Sequence, residues 1–149
     1  WPFENFIKLI EEIIKKYNIK IIVTGTKRTE PFIKTIPEKI KENTKYILDA
    51  PIDLLSAIIS KSVLIVCNNT GIMHLACAIG IPVIGLHGPT DPLKWGPLGK
   101  NSISIKSKLP CSPCLYLGFE YACKTNNCMK SITTEEVIEN VDRILRIVI

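Results

Sequence analysis

A chain of 149 residues, 46% hydrophobic and 22% charged, can close one packed core and is too apolar to stay disordered. Its net charge of +5 rests on lysines scattered over helix faces without interleaved aromatics. That pattern argues against a nucleic-acid binder and leaves a mild pull on nucleotides or an anionic membrane surface. No apolar stretch reaches the roughly 20 residues of a membrane-spanning helix, and none reads as a signal peptide, internal repeat or linker.

Phe3, Phe6, Ile7, Ile10, Ile13, Ile14 and Tyr17 recur at the helical period, with Glu and Lys opposite, which predicts an amphipathic helix over 3–17. Ile19 to Thr24 reads as a buried strand ended by Gly25. A helix feeding a parallel strand in this way is expected to follow a strand of its own. Thr24 to Glu30 is a strand-end loop, in which Lys27 and Arg28 read as solvated charges. Phe32 to Asn43 is a weaker helix, broken or restarted at Pro37. Tyr46 to Leu48 is a short strand, and Asp49 ends it where a nucleotide base has room against the backbone. Pro51 opens a helix to Ser60, with Ile52, Leu54, Leu55, Ile58 and Ile59 as its buried stripe.

The organising stretch follows. Val63 to Cys67 is a short β-branched apolar run, predicted as a fully buried strand. Asn68 to Gly71 form a turn, and Met73 to Ile79 a helix closed by Gly80, which takes a left-handed cap without steric cost. Pro82 starts the strand Val83 to Leu86. Gly88 to Asp91 is a second loop, and Ser102 to Ile105 a last short strand. Thr133 with Glu136 predicts a capping box for a helix from Thr134 to about Val148, its inner face Val137, Val141, Ile144, Leu145 and Val148. The alternation of strands and helices predicts an α/β protein: a Rossmann-like parallel sheet with helices on both faces.

Ligands of open α/β sheets bind outside the carboxyl ends of the strands, and a helix start offers unpaired N–H groups and a dipole that favours anions. Thr70 and Gly71 therefore suit a phosphate: glycine lets it approach the backbone, and threonine adds a hydroxyl donor. An ordinary strand-to-helix connection capped by Asn69 or Thr70 explains the same residues. His74, in the first helical turn, shapes the phosphate pocket or merely caps it. Gly88 and Thr90 are placed to complete a diphosphate cradle through backbone N–H and hydroxyl, whereas Asp91 before Pro92 reads equally as a turn former. Asn69 cannot take up a proton, which makes it a poor acid or base, yet it can orient the turn. His87 has no evident role.

Six cysteines are present. Cys67 and Cys77 lie in apolar context and read as buried thiols. Cys111, Cys114, Cys123 and Cys128 form a C-x2-C-x8-C-x4-C series. A structural zinc site, disulfides and free thiols all fit it, with free thiols preferred. In each case the segment at about 107–130 reads as a structural flap.

The run NNTGIMHLACAIGIPVIGLHGPTDPLKWGP resembles the signature of the heptosyltransferases of glycosyltransferase family 9, roughly (D/S)(D/N)(S/T)GxMHLAxAxGxPxxxLxGPTxPxxxGP. The opening WPFENFIKLIEEI and the tail CSPC…MKSITTEEV are similar to the same family. The likeness covers nearly all of this chain but about half of a typical member. It implies the C-terminal, donor-binding half of a GT-B fold over 1–149, without the N-terminal acceptor domain that is expected to carry the general base. Glu30 matches an acidic residue expected to hydrogen-bond the ribose hydroxyls, although a carboxylate at a helix start is also favoured by the dipole. Many relatives carry Asp where Asn69 stands.

The expected activity is inverting transfer of a heptose or related sugar from a nucleotide-diphosphate sugar, ADP-heptose first among them, to a lipopolysaccharide-type acceptor. Phosphate-site candidates are Asn69, Thr70, Gly71, His74, Gly88 and Thr90; ribose and base candidates are Glu30 and Asp49. No cofactor or metal is expected to be required, and no nucleic-acid partner. The expected location is cytoplasmic, at the inner membrane face. Rival readings are a stand-alone nucleotide-binding module and a zinc-stabilised interaction domain.

Overall fold

A computed structural model describes residues 1–115, 117 and 123–148, the last by its backbone only. The N-terminal helix α1 spans Phe3–Tyr17, as its periodicity predicts, and Asn18 closes it in the left-handed conformation. Strand β1 (Ile21–Gly25) leads through a tight turn at Lys27–Thr29 into two one-turn helices, α2 (Glu30–Ile33) and α3 (Glu38–Lys41). Pro37 lies between them and caps α3, so the longer helix expected over 32–43 does not form.

Strand β2 (Thr44–Leu48) and helix α4 (Ile52–Ser60) come next. The α4 stripe is narrower than expected. Ile59 is buried where the helix meets α5, Leu55 and Ile58 are half-buried along the groove between β1 and β3, and Ile52 and Leu54 are exposed.

Strand β3 (Ile65–Asn68), helix α5 (Gly71–Ile79) and strand β4 (Val83–His87) form the predicted βαβ unit. Gly80 closes α5 at φ +92°, a conformation that demands glycine. β3 starts two residues later than its apolar run because the first ladder bond joins Ile65 N–H to the Pro82 carbonyl. A one-turn helix α6 (Pro92–Trp95), strand β5 (Ile103–Lys106), another short helix α7 (Asn127–Lys130) and the long α8 (Thr134–Val148) complete the described chain. Tyr116 and residues 118–122 of the expected cysteine flap lie outside the described residues.

Among the described residues all strand pairs are parallel, in two sheets: β1–β2, and β3–β4–β5 with β4 in the middle. Every residue of β4 is buried. This is the α/β class the alternation predicts, with the sheet divided between β1 and β3. The largest core cluster joins Leu9 and Ile13 of α1, Ile84 and Leu86 of β4, and Val137, Val141, Ile144 and Leu145 of α8. A second, around Met73, Ala76, Val83 and Ile59, lies between α4, α5 and the sheet.

The two long helices are also latched by polar groups: Lys16 pairs with Asp142, and Tyr17 donates to Asp142 Oδ1 at 2.6 Å. Only half of the expected capping box forms. Glu136 N–H reaches Thr133 Oγ1 at 3.2 Å, while the Glu136 carboxylate faces Lys108. Among the described residues, no helix is long and apolar enough to cross a membrane.

Candidate functional site

The loops after β1, β2, β3 and β4 carry the candidate residues. Behind β1, Gly25 lets the chain fold tightly onto Thr29, whose Oγ1 would stand 2.6 Å from any Cβ there. Asp49 follows β2 with φ 48°, its backbone N–H bonded to the Gly25 carbonyl and its Oδ1 accepting from Lys27 N–H at 3.3 Å. Thr26, Lys27, Arg28 and Asp49 line a hollow of about 390 Å³. Glu30 does not line it; it opens α2, exposed, and pairs with Lys34 at 3.3 Å.

Behind β3, the amide of Asn69 extends the ladder onto the Leu86 carbonyl. Thr70 is extended, and its carbonyl accepts from Met73 N–H at 3.0 Å, but its side chain makes no cap bond. The first amides of α5 are thus left without a side-chain acceptor. Gly71 is exposed, and a Cβ built there meets nothing within 4 Å. The protein's own packing therefore gives no reason for a glycine at this position. His74 is exposed on the next turn.

Behind β4, His87 is completely buried, its Nδ1 3.2 Å from Thr90 Oγ1 and its Nε2 without a hydrogen-bond partner. Burial pushes the His87 pKa down; nearby His74 adds to this and Asp91 opposes it. The ring is therefore held neutral. Gly88 is buried for a reason the sequence hid: a Cβ there would stand 2.4 Å from Met129 Sδ and 3.0 Å from Cys128 Sγ. Pro89 lends its carbonyl to the N–H groups of both Cys114 and Leu115, each at 2.8 Å.

Arg28 is the residue that sequence reasoning passed over. With Thr24, Thr29, Asn68 and Thr70 it lines one end of a groove of about 1280 Å³ between β1 and β3. Its place directly behind a strand end was the available signal. A guanidinium here suits an anion that also touches the start of α5.

The cysteines are all free. Cys67 and Cys77 are half-buried, less enclosed than expected: both pack at the edge of the Met73 cluster, and Cys67 also lines the open groove. Burial, with Cys77 adding to it, pushes the Cys67 thiol up to about 12. Cys111, Cys114 and Cys123 are exposed and Cys128 is buried. Among the described residues, no three His, Cys, Asp or Glu side chains converge as a metal site.

Parallel strands, connecting helices and ligand-facing loops at their carboxyl ends define an α/β protein of the doubly wound class. Residues 1–124 match the model of glycosyltransferase family 9 (heptosyltransferase), and the chain belongs to that family. Lipooligosaccharide heptosyltransferase 2 of Haemophilus influenzae is 30% identical over 115 residues, 71% of this chain and 32% of the relative. The Campylobacter jejuni serotype O:2 protein of that name is 25% identical over 153 aligned residues, 98% of this chain and 46% of the relative. The chain thus spans less than half the length of these curated relatives.

Among solved structures, E. coli ADP-heptose lps heptosyltransferase II superposes with a TM-score of 0.76 at 21% identity, over 97% of this chain and 41% of the other. E. coli heptosyltransferase WaaC with ADP superposes with a TM-score of 0.72 at 19% identity, over 97% and 39%. At that identity these two likenesses concern the fold.

Proposed function

We propose that this chain is the donor-binding, C-terminal part of a GT-B enzyme that transfers heptose from ADP-heptose to a lipopolysaccharide-type acceptor, with inversion at the anomeric carbon. The observation that carries this reading is the head of α5. Free amides, the Thr70 hydroxyl and a glycine with open space above it stand together at the carboxyl end of a parallel strand. A diphosphate resting there gains roughly 0.3–2 kcal/mol per favourable charge contact, so it needs a second anchor. Arg28 across the groove and Thr90 behind β4 supply candidates. WaaC has been solved with ADP and with ADP-2-deoxy-2-fluoro heptose, which makes an adenosine diphosphate the first ligand to try.

In the reaction the acceptor hydroxyl attacks the anomeric carbon, the bond to the diphosphate oxygen breaks, and negative charge grows on the departing ADP. The groups described here stabilise that charge; this is the electrostatic part of the work. Asp49 and Glu30 are the candidates for the nucleoside end. The general base and the acceptor site belong to polypeptide outside residues 1–149, so this chain alone binds donor without turning it over. The location that goes with this reading is the cytoplasmic face of the membrane.

Calorimetric titration with ADP, UDP and GDP tests the reading. ADP should bind, and Gly71→Leu should weaken it about tenfold or more, which corresponds to about 1.4 kcal/mol. The thermal midpoint should be unchanged, since the new side chain projects into open space. Absence of binding by all three nucleotides would overturn the assignment.

A further inference from the structure

We propose that Cys114 and Cys128 form a redox modification site, a thiol pair that a small disulfide of the glutathione class converts to a protein disulfide across the exit of β4. The proposal is independent of the donor reading.

The two cysteines meet at neighbouring residues of one loop. Cys114 N–H is held by the Pro89 carbonyl at 2.8 Å. Cys128 Sγ lies against Gly88, 3.0 Å from the point where a Cβ there would stand. The backbone around each is tied to the same place. On one side, Ser112 Oγ donates to the Gly88 carbonyl, and Leu115 is bridged to Thr90. On the other, Ser131 Oγ donates to the Cys128 carbonyl at 2.8 Å and lies 2.9 Å from Ser107 Oγ. Ser107 N–H in turn reaches the His87 carbonyl at 2.9 Å. Three successive residues, His87, Gly88 and Pro89, thus gather both cysteines, and the fold has already met much of the entropy cost of joining them.

Among the four thiols of the segment this pair stands out. Partial desolvation first, then the thiols of Cys128, Cys111 and Cys123 in that order, push the Cys114 thiol up. Cys128 is therefore the thiol that Cys114 feels most. Cys123 is engaged with Thr125 Oγ1 at 3.3 Å. Among the described residues no three metal-ligating side chains converge, as a metal would need, whereas a disulfide needs two thiols. Cys114 is exposed and can meet a dissolved oxidant; Cys128 is buried and can meet only its neighbours.

The exchange balances with one glutathione disulfide. The Cys114 thiolate attacks one of its sulfurs, the S–S bond breaks, and a glutathione thiolate leaves. The Cys128 thiolate then attacks the Cys114 sulfur of the mixed disulfide and expels the second glutathione. Two protein thiols are oxidised to one disulfide, and the oxidant is reduced to two thiols, which take up the two protons. Because the Cys114 thiolate is scarce at neutral pH, the first step should quicken as the pH rises.

Peptide mapping of the full-length natural protein after incubation with glutathione disulfide tests this. Trypsin separates residues 109–124, which hold Cys111, Cys114 and Cys123, from residues 125–130, which hold Cys128. The two peptides should leave as one species, lighter by two hydrogens than their sum, that dithiothreitol separates. The link should persist in Cys111→Ser and in Cys123→Ser and vanish in Cys114→Ser. The bridge closes a loop of 15 residues. The thermal midpoint of this domain should therefore rise by about 4 °C or more and fall back on reduction. A link confined to residues 109–124, glutathione adducts without a link, no reaction, or a lowered midpoint would each overturn the proposal. So would zinc in the purified protein that must be chelated before the thiols react, which would assign the segment to a metal. ADP binding enters none of these readouts, so a failure here and a failure of the donor site are told apart.

Discussion

The imidazole of His87 and the hydroxyl of Thr90 stand 3.2 Å apart, Nδ1 to Oγ1, across the loop that leaves β4. The other ring nitrogen is enclosed without a partner. An enclosed lone pair costs less than an enclosed N–H, so the proton belongs on Nδ1, pointing at Thr90. The Thr90 hydroxyl then accepts from the ring and keeps its own hydrogen for an outward partner. This pairing leaves Thr90 a donor, the polarity a diphosphate oxygen requires.

Acidification should destabilise the protein through this ring. Burial holds the folded-state pKa of His87 below its ordinary 6.5, so below that pH the unfolded chain binds more protons than the folded one. The contribution is complete above about pH 6.5 and is lost as the pH falls towards the folded value. Urea midpoints should decline from pH 7 to pH 5, and His87→Gln should flatten that slope.

A second acid-sensitive latch joins the long helices. Burial raises the Asp142 carboxyl, but hydrogen bonds from Lys16 and Tyr17 outweigh it and hold the pKa below its ordinary 3.8. Its contribution is present above that pH and fades as the pH drops through the folded value. Asp142→Asn should cost about 0.5–1 kcal/mol at pH 7 after allowance for solvent screening. Tyr17→Phe in the same background should add little, since both changes remove one interaction. Chemical denaturation of the four proteins of the cycle measures this.

Three glycines should separate by what their missing side chains would meet. A Cβ on Gly96 would lie 2.4 Å from the Pro92 carbonyl oxygen, which is backbone and cannot swing aside. On Gly88 it would meet the Met129 side chain, which can partly yield. Gly96→Ala should therefore be the most destabilising, Gly88→Ala intermediate at about 1–3 kcal/mol, and Gly71→Ala neutral within about 0.5 kcal/mol. Thermal melts rank them.

Thiol labelling should follow local chemistry. Cys123 is exposed, and its thiol is pulled down chiefly by the Thr125 hydroxyl, 3.3 Å away, helped by the Thr125 and Asn126 amides. Cys67, pushed up to about 12, stays a thiol at any ordinary pH. Iodoacetamide at pH 8 should modify Cys123 early and Cys67 only after unfolding, as peptide mass spectrometry will record.

Local rules reached the two long helices because each carries its own apolar stripe and stop signals: Asn18 ends α1, and Thr133 starts α8. They reached the Thr70–Gly71 turn for the same reason. They failed where a distant partner decides. The start of β3 is set by Pro82 on the neighbouring strand, not by the exposed Val63. The bland look of Arg28 hid a groove whose other bank is Asn68 and Thr70. Gly88 reads in the sequence as a ligand contact, and the crowding by Met129 and Cys128 that also demands its small size has no local signal.

Pro89, with two amides hung on its carbonyl, has a consequence for how this gene can be edited. The strip that begins at Cys114 is fastened there, and it is fastened again where Met129 lies over Gly88. Insertions or deletions that leave both moorings in place leave the β4 exit as it is. Any that shift Cys114 or Met129 themselves would drag the β4 exit, and with it Thr90, out of place.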